Sequence, residues 1–287
     1  MYKLGINFDE ISDDLSTAIE VMNECGVQYG ELRTVNKKNF MFWSDAEVEA
    51  FRSQVASSGI EVVAASTPLF KWYTKQDDPE VVHDSFGFNP RLDVSEKRET
   101  IKRAIEIADL LSIPRLRIFS ELGNADNAGH KFAQSQLLNY ALQLAREKDI
   151  ELFLENEPVC KVHTKEQVEN FLEGNNNKNL KFWLDVANFV ELGEDIDESF
   201  LRKVSSRVGY VHVKDFRIEN GKRIYVPVGQ GSVDYITILN DILCAAKNDI
   251  VITIETHASN ENKIEYSKQS IRAVQKILGK KEAVSVS

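Results

Sequence analysis

The sequence predicts an α/β fold, a closed (β/α)8 or TIM barrel that forms one domain over residues 1–287, on three observations. Short apolar runs alternate with amphipathic helical stretches from end to end, and there are eight such runs. Strict alternation implies parallel strands joined by right-handed crossovers, and eight units in a chain of this length match a closed barrel. The competing doubly wound sheet usually carries a Gly-rich phosphate loop after its first strand. Here "GINFDEISDD" has no second or third glycine in that place.

The strand-like runs, in order, are "YKLGINF", "YGELRT", "IEVVAAS", "RLRIFS", "IELFLEN", "KFWLDV", "VGYVHVKD" and "DIVITIET". After the first comes "SDDLSTAIEVMNECG", with Ser12 as N-cap, acids in the first turn and Gly26 as the stop. "SDAEVEAFRSQVASSG" repeats the scheme, with Ser44 and Glu47 as a capping box and Gly59 at the end. The remaining helical stretches are "VSEKRETIKRAIEIADLLSI", "FAQSQLLNYALQLAREK", "TKEQVENFLEG", "DESFLRKVSSR", "VDYITILNDILCAAKN" and "NKIEYSKQSIRAVQKILG". No linker rich in Pro, Gly or Ser divides the chain, and residues 279–287 read as a frayed tail. Two connections are long, residues 67–93 after the third strand and 216–232 after the seventh. Both fall on the carboxyl side of strands, where barrel active sites form, and loops this long usually serve a function.

Bulk properties exclude some classes of function. The formal net charge is −10, which disfavours a nucleic-acid partner. No apolar run is long enough to span a membrane, and "MYKLGINF" lacks the profile of a signal peptide, so a cytoplasmic protein is expected. Cys25, Cys160 and Cys244 form no CxxC pair and read as reduced, buried thiols.

The informative pattern lies at the strand ends. Consecutive strands five to eight end at Glu155, Asp185, His212 and Glu255. Each residue alone has a plain structural reading. A glutamate can cap the next helix, Asp185 can form an Asx-turn, and a histidine in "VHVKD" can be a hydrogen-bonded core residue. Together they would converge on the barrel mouth, because alternate strand residues face inward. Three carboxylates buried side by side repel unless a cation neutralises them, so the set asks for one divalent metal ion. Three carboxylates and one imidazole suit Mn²⁺ or Mg²⁺, with Co²⁺ or Zn²⁺ as further options. A six-coordinate ion held by these residues keeps positions for two adjacent substrate oxygens, as in a hydroxy-ketone.

These residues, with "FLENE" (153–157), "LDVAN" (184–188), "HVKD" (212–215), "PVGQGSVD" (227–234) and "IETH" (254–257), make the chain resemble the sugar phosphate isomerase/epimerase family of xylose-isomerase-like barrels. The resemblance implies that Glu155, Asp185, His212 and Glu255 ligate the metal. It also implies that Glu155 and Glu255 act as acid and base on opposite faces of a carbohydrate substrate, as in the ketose 3-epimerases. Arg217 matches a substrate-contacting arginine, Lys214 and Asp215 match a strand-end pair, and Asn188 stands where those epimerases often have a histidine. Two positions depart from the epimerase pattern: Lys161 replaces a sugar-contacting glutamate, and Glu157 replaces a histidine. A homodimer is a further expectation of the resemblance.

The implied activity is a metal-dependent isomerase or epimerase of a sugar or sugar phosphate, working through a stabilised enediolate. The alternative is a dehydratase, a lyase of a keto-cyclitol or dehydroshikimate, on the same scaffold. A non-catalytic sugar-binding barrel is a third reading. An endonuclease IV-like nuclease is disfavoured by the charge and by a total of five histidines. Weaker candidates remain. His257 could bind substrate or cap a helix. Phe70, Trp72 and His83 could line a sugar site or pack a loop. Glu31 and Arg117 could contact substrate or form ion pairs at the barrel mouth. The amides of "PVGQGSVD" could meet a phosphate or start a helix at Ser232.

Overall fold

Each of the eight apolar runs forms a strand, because β-branched and aromatic residues on a two-residue period bury one face inside and the other under helices. The computed structural model describes residues 1–75, 88–124 and 127–284. The barrel strands are β1 (Tyr2–Asn7), β2 (Tyr29–Leu32), β3 (Glu61–Ser66), β4 (Arg115–Ile118), β5 (Glu151–Glu155), β6 (Leu180–Asp185), β7 (Val208–Val213) and β8 (Ile250–Ile254). Each lies parallel to its neighbours in sequence, and β1 closes the barrel on β8 with Tyr2 opposite Ile250. The alternation predicted from sequence therefore becomes a closed (β/α)8 barrel.

Two apolar cores result. The larger lies between barrel and helices, and a smaller one of Val63, Ala64, Phe153, Trp183, Tyr210 and Val251 fills the barrel. The inner core matters for the site, because the strand period of two continues it upward. Two residues beyond Phe153 is Glu155, beyond Trp183 is Asp185, and beyond Tyr210 is His212. The apolar plug and the polar mouth are successive layers of the same inward rows.

The helices follow their caps. Ser44 and Glu47 form the expected capping box on Asp45–Ala56, and Asp93/Glu96 and Thr164/Gln167 form two more. Helix Leu15–Glu24 is capped by Asp14 and not by Ser12. Phe8–Ile11 makes an extra helical turn, so Ser12 becomes its C-cap and accepts the Asp14 N–H at 3.1 Å. The stretch expected as one helix over 132–148 is two, Ala128–Ala133 and Gln136–Arg146, with Ser135 capping the second. The last helix is Lys263–Val284, so the helical path continues into the tail expected to fray. Residues 285–287 lie outside the described residues.

The long connection after β7 is not an irregular loop. Asp215–Glu219 and Lys222–Val226 pair as an antiparallel hairpin. Its turn is Asn220-Gly221, with φ of +51° and +73°, the geometry that an Asn-Gly pair favours. The helix after it is Tyr235–Ala245, capped by Asp234 and not started at Ser232. In the connection after β3, Phe70 and Trp72 are fully buried and pack on each other at 4.8 Å, which is the loop-packing role. His83 lies outside the described residues. Of the cysteines, only Cys160 is buried; Cys25 is half-buried and Cys244 exposed. No described helix is long and apolar enough to cross a membrane.

Candidate metal centre

Glu155 and Asp185 are the last residues of β5 and β6, His212 is the penultimate residue of β7, and Glu255 directly follows β8. All four are buried, and one ligand atom from each lies within 4.8 Å of the others. His212 Nδ1 is 3.0 Å from Glu155 Oε1, 3.5 Å from Glu255 Oε2 and 3.8 Å from Asp185 Oδ2. A divalent ion bonds oxygen at roughly 2.0–2.2 Å, so donors on opposite sides of it stand about 4 Å apart. The cluster is near that size.

Asp185 shows how the cap and ligand readings combine. Its Oδ1 accepts the Asn188 N–H at 2.9 Å and so caps the helix Val186–Glu191. Its Oδ2 is buried and makes no hydrogen bond of good geometry, although the Lys214 ammonium lies 2.7 Å away. That leaves one oxygen for structure and one for a cation. Asn156 fixes the strand ends beneath. Its side chain donates to the Asp185 carbonyl at 2.9 Å and accepts the Asp185 N–H at 2.8 Å. Asn188 in turn donates to the Asn156 carbonyl at 2.9 Å.

Each glutamate shares its two oxygens the same way. Arg117 Nη1 pairs with Glu155 Oε2 at 3.0 Å, and Arg33 Nη1 with Glu255 Oε1 at 2.7 Å. Burial pushes the Glu155 carboxyl up, but Arg117 and His212 outweigh it and hold the group at about 2. Burial likewise opposes ionisation of Glu255, while His257, His212 and Lys214 hold it well below the usual range. Burial raises Asp185, and the opposing Lys214 ammonium does not fully cancel it. Burial disfavours charge on His212, yet the carboxylates of Glu31, Glu255 and Glu155 raise it well above its ordinary value. The donor set therefore fits a hard divalent cation: acidic oxygens converge, and protein cations stand in for part of the missing charge.

Two of the four residues, Glu155 and Glu255, line a cavity of about 290 Å³ at the barrel mouth. Of the residues expected to meet substrate, Lys214, Asn188 and His257 line it. His257 Nε2 lies 3.1 Å from Glu255 Oε2, and its ring packs on Tyr225 at 4.8 Å. Arg217 does not reach the cavity. Its side chain is 52% exposed and pairs with Glu219 at 2.6 Å. The pleat of the hairpin explains the difference: Arg217 and Ile224 are partners on one face, while Phe216 with Tyr225 and Ile218 with Arg223 share the other. Arg223 and Tyr225 supply the lining instead. Lys161 pairs with Glu121 at 3.0 Å away from the cavity, whereas Glu157 lines it and meets Lys71 at 3.3 Å. The aromatic lining is Phe119 and Tyr225, not Phe70 or Trp72. The amides of "PVGQGSVD" already hold an anion: those of Gly229 and Gly231 donate to Asp215 Oδ2 at 2.9 Å.

Sequence reading missed Arg33, Asp9, Glu10, Lys71 and Arg223. Arg33 had a signal, since it stands two past Glu31 on the inward row of β2. It binds Asp9 at 3.0 Å and Glu10 at 2.5 Å as well as Glu255. Lys71 comes from a connection, where no period points to it, and Arg223 from the hairpin, which sequence reading treats as a loop.

A closed eight-stranded barrel with a buried acid–histidine cluster at the carboxyl mouth defines a class of metal-capable barrels. Residues 19–278 match the model of the xylose isomerase-like TIM barrel, and the chain belongs to that family. No curated protein matches it. Among solved structures, the probable 3-DHS dehydratase AsbF of Bacillus anthracis superposes with a TM-score of 0.73 at 15% identity, over 95% of this chain and 98% of that one. The IOLI protein with a bound zinc atom gives 0.74 at 18% identity, over 97% and 98%. An L-ribulose 3-epimerase gives 0.71 at 15% identity, over 100% and 98%. At these identities the likeness is one of fold.

Proposed function

We propose that the chain is a divalent-metal-dependent isomerase or epimerase of a sugar or sugar phosphate. The observation that carries this reading is the convergence of Glu155, Asp185, His212 and Glu255 on one point beside a polar cavity. When bound there, an Mn²⁺ or Mg²⁺ ion supplies a Lewis acid that polarises a carbonyl and acidifies the neighbouring C–H. Glu155 and Glu255 are the two groups that move the proton. With Glu155 Oε2 on Arg117 and Glu255 Oε1 on Arg33, the carboxylates are held in place, and Glu155 Oε1 and Glu255 Oε2 face the centre. Lys214 and His257 stand beside Glu255 Oε2 and donate to substrate oxygens, while Asn188 and Phe119 shape the cavity wall.

A dehydratase is the second reading. It is favoured by the density of cations in the cavity lining: Lys71, Arg117 and Arg223 stand there paired with Glu157, Glu155 and Glu191, and a substrate carboxylate would exchange for one of those partners.

The test begins with elemental analysis of the purified protein beside Glu155→Gln. About one metal ion per chain, lost in the variant, is expected. The loaded enzyme is then incubated in D₂O with ketoses, ketose phosphates and keto-cyclitols. Deuterium at a carbon beside the carbonyl supports the isomerase reading, and loss of water supports the dehydratase. Failure to bind Mn²⁺, Mg²⁺, Co²⁺ or Zn²⁺ would overturn both.

A further inference from the structure

The proposed reaction leaves Glu31 without a role, although it is the most heavily bonded carboxylate in the barrel. It stands on the inward row of β2, directly beneath the cluster, and is fully buried. His212 Nε2 lies 3.0 Å from Glu31 Oε2 and 3.1 Å from Oε1. The hydroxyls of Thr253 and Tyr210 donate to Oε2 at 2.7 and 2.9 Å. The Ser66 hydroxyl donates to Oε1, and the Asn7 amide reaches it at 3.3 Å. Donors from β1, β3, β7 and β8 thus meet two oxygens that can only accept.

The imidazole is held in plane as well as in contact. Its ring stands edge-to-face on Trp183, with centroids 4.9 Å apart and planes at 84°. Both ring nitrogens face carboxylate oxygens at 3.0 Å, but Nε2 faces Glu31 alone, outside the cluster, so a cation among the cluster atoms leaves the hydrogen on Nε2. Nδ1 is the atom that faces Glu155, Asp185 and Glu255.

We propose that Glu31 is a positioning residue for the metal: it binds the Nε2–H of His212 and so presents Nδ1 as the ligand atom. A carboxylate behind a ligating histidine fixes the tautomer and raises the donor strength of the other nitrogen. The inference rests on the metal centre proposed above, and not on which reaction that centre catalyses.

The experiment compares Mn²⁺ affinity in the wild type, Glu31→Gln and Ser66→Ala by titration calorimetry, with folding checked by circular dichroism. Glu31→Gln is expected to bind about 10–100-fold more weakly. Ser66→Ala removes a different donor to the same carboxylate and leaves His212 in place, so its affinity should stay close to that of the wild type. Equal affinity in Glu31→Gln, or an equal loss in Ser66→Ala, would overturn the proposal while leaving the metal centre intact. A second measurement needs only the wild type. In ¹⁵N-histidine-labelled protein loaded with Zn²⁺, the His212 signal, assigned by its loss in His212→Gln, should show a protonated Nε2 and a metal-shifted Nδ1. The reverse pattern overturns the proposal even where Glu31→Gln fails to fold. A wild type that binds no metal would sink the centre and this inference together.

Discussion

Arg33 Nη1 donates to Glu255 Oε1 at 2.7 Å, tying the end of the second barrel strand to the residue that follows the eighth. The same guanidinium holds Asp9 and Glu10, and Glu10 Oε2 accepts from the Thr256 hydroxyl at 2.8 Å and the His257 N–H at 2.7 Å. One buried cation therefore organises three acids and the whole 255–257 segment. Asp9, Glu10 and Glu255 raise its affinity for the proton far above the ordinary value despite burial.

Arg33→Met should accordingly be costly. Removing one partner of a buried ion pair leaves the others uncompensated, at about 3–5 kcal/mol. Urea denaturation of the metal-free variant should show a lowered midpoint of that size. A loss below about 1 kcal/mol would mean that water already screens the network.

Lys214 predicts a competition. Its ammonium sits 2.7 Å from Asp185 Oδ2, the one ligand oxygen that makes no proper hydrogen bond. A divalent ion at the centre would repel it. Lys214→Met should therefore destabilise the metal-free protein and tighten Mn²⁺ binding. In the wild type, Mn²⁺ at a hundred times its Kd should add about 2.7 kcal/mol of stability, and Asp185→Asn should abolish the increment. Thermal melts with and without Mn²⁺ check both. Weaker Mn²⁺ binding by Lys214→Met would show that the ammonium supports the site and does not compete for it.

These networks also show what sequence reading can and cannot reach. Glu155, Asp185, His212 and Glu255 were legible because strand period and strand order place them: each lies on an inward row at the same end of adjacent strands. Glu31, Arg33 and Arg117 obey the same rule, but what they pair with is set by the closed barrel: Glu31 and His212 are 181 residues apart, Arg33 and Glu255 222, and Arg117 meets Glu155 on the next strand. Nothing local distinguishes a substrate-facing arginine from one spent on a carboxylate. Arg217 and Arg223 fail for a different reason. Which of them faces the cavity depends on the pleat of a hairpin, and its Asn220-Gly221 signal was there to be read. Ser12 does not cap the second helix because the buried turn Phe8–Ile11 makes it a C-cap, and Asp14 accepts the Thr17 N–H in its place.

The capping box at Ser44 gives a pH-dependent prediction. Glu47 is held at about 2 by a hydrogen bond from Lys38 first, then by the backbone and hydroxyl of Ser44. A carboxyl whose folded pKa is depressed contributes stability above its unfolded pKa and loses it as pH falls. The contribution of Glu47 should be full above 4.5 and fade as pH drops towards 2. The urea midpoint difference between wild type and Glu47→Ala should shrink over that window. Ser44→Ala, which removes the cap itself, should cost about 1 kcal/mol at neutral pH.

The thiols should separate by burial. Cys160 is fully buried and burial pushes its thiol pKa up, so it is neither accessible nor ionised. Cys244 is exposed. A thiol reagent at pH 8 should modify Cys244 quickly and Cys160 only after unfolding, as read by mass spectrometry of the digest. Rapid labelling of Cys160 in folded protein would show that the segment after β5 opens readily.

Gly231 carries the last prediction, because it links a backbone detail to the site. Asp215 Oδ2 accepts from the amides of Gly229 and Gly231, and Oδ1 from those of Phe216 at 2.9 Å and Val233 at 3.2 Å. This nest anchors the base of the hairpin that carries Arg223 and Tyr225, and Asp215 adjoins Lys214. A Cβ on Gly231 would press on the Asp215 carboxylate and come within 2.5 Å of the Phe216 carbonyl oxygen. That oxygen is backbone and cannot swing aside. Gly231→Ala should therefore cost about 1–3 kcal/mol. It should also loosen the hairpin, raising KM for whichever substrate is found more than it lowers metal affinity, since none of the four ligands lies on the hairpin. Urea denaturation reads the cost in stability, and steady-state kinetics beside Mn²⁺ titration separate the effect on KM from that on metal affinity. Full stability in Gly231→Ala would mean that the hairpin base can shift as a unit, and the cavity wall formed by Arg223 and Tyr225 would then be adjustable and not fixed.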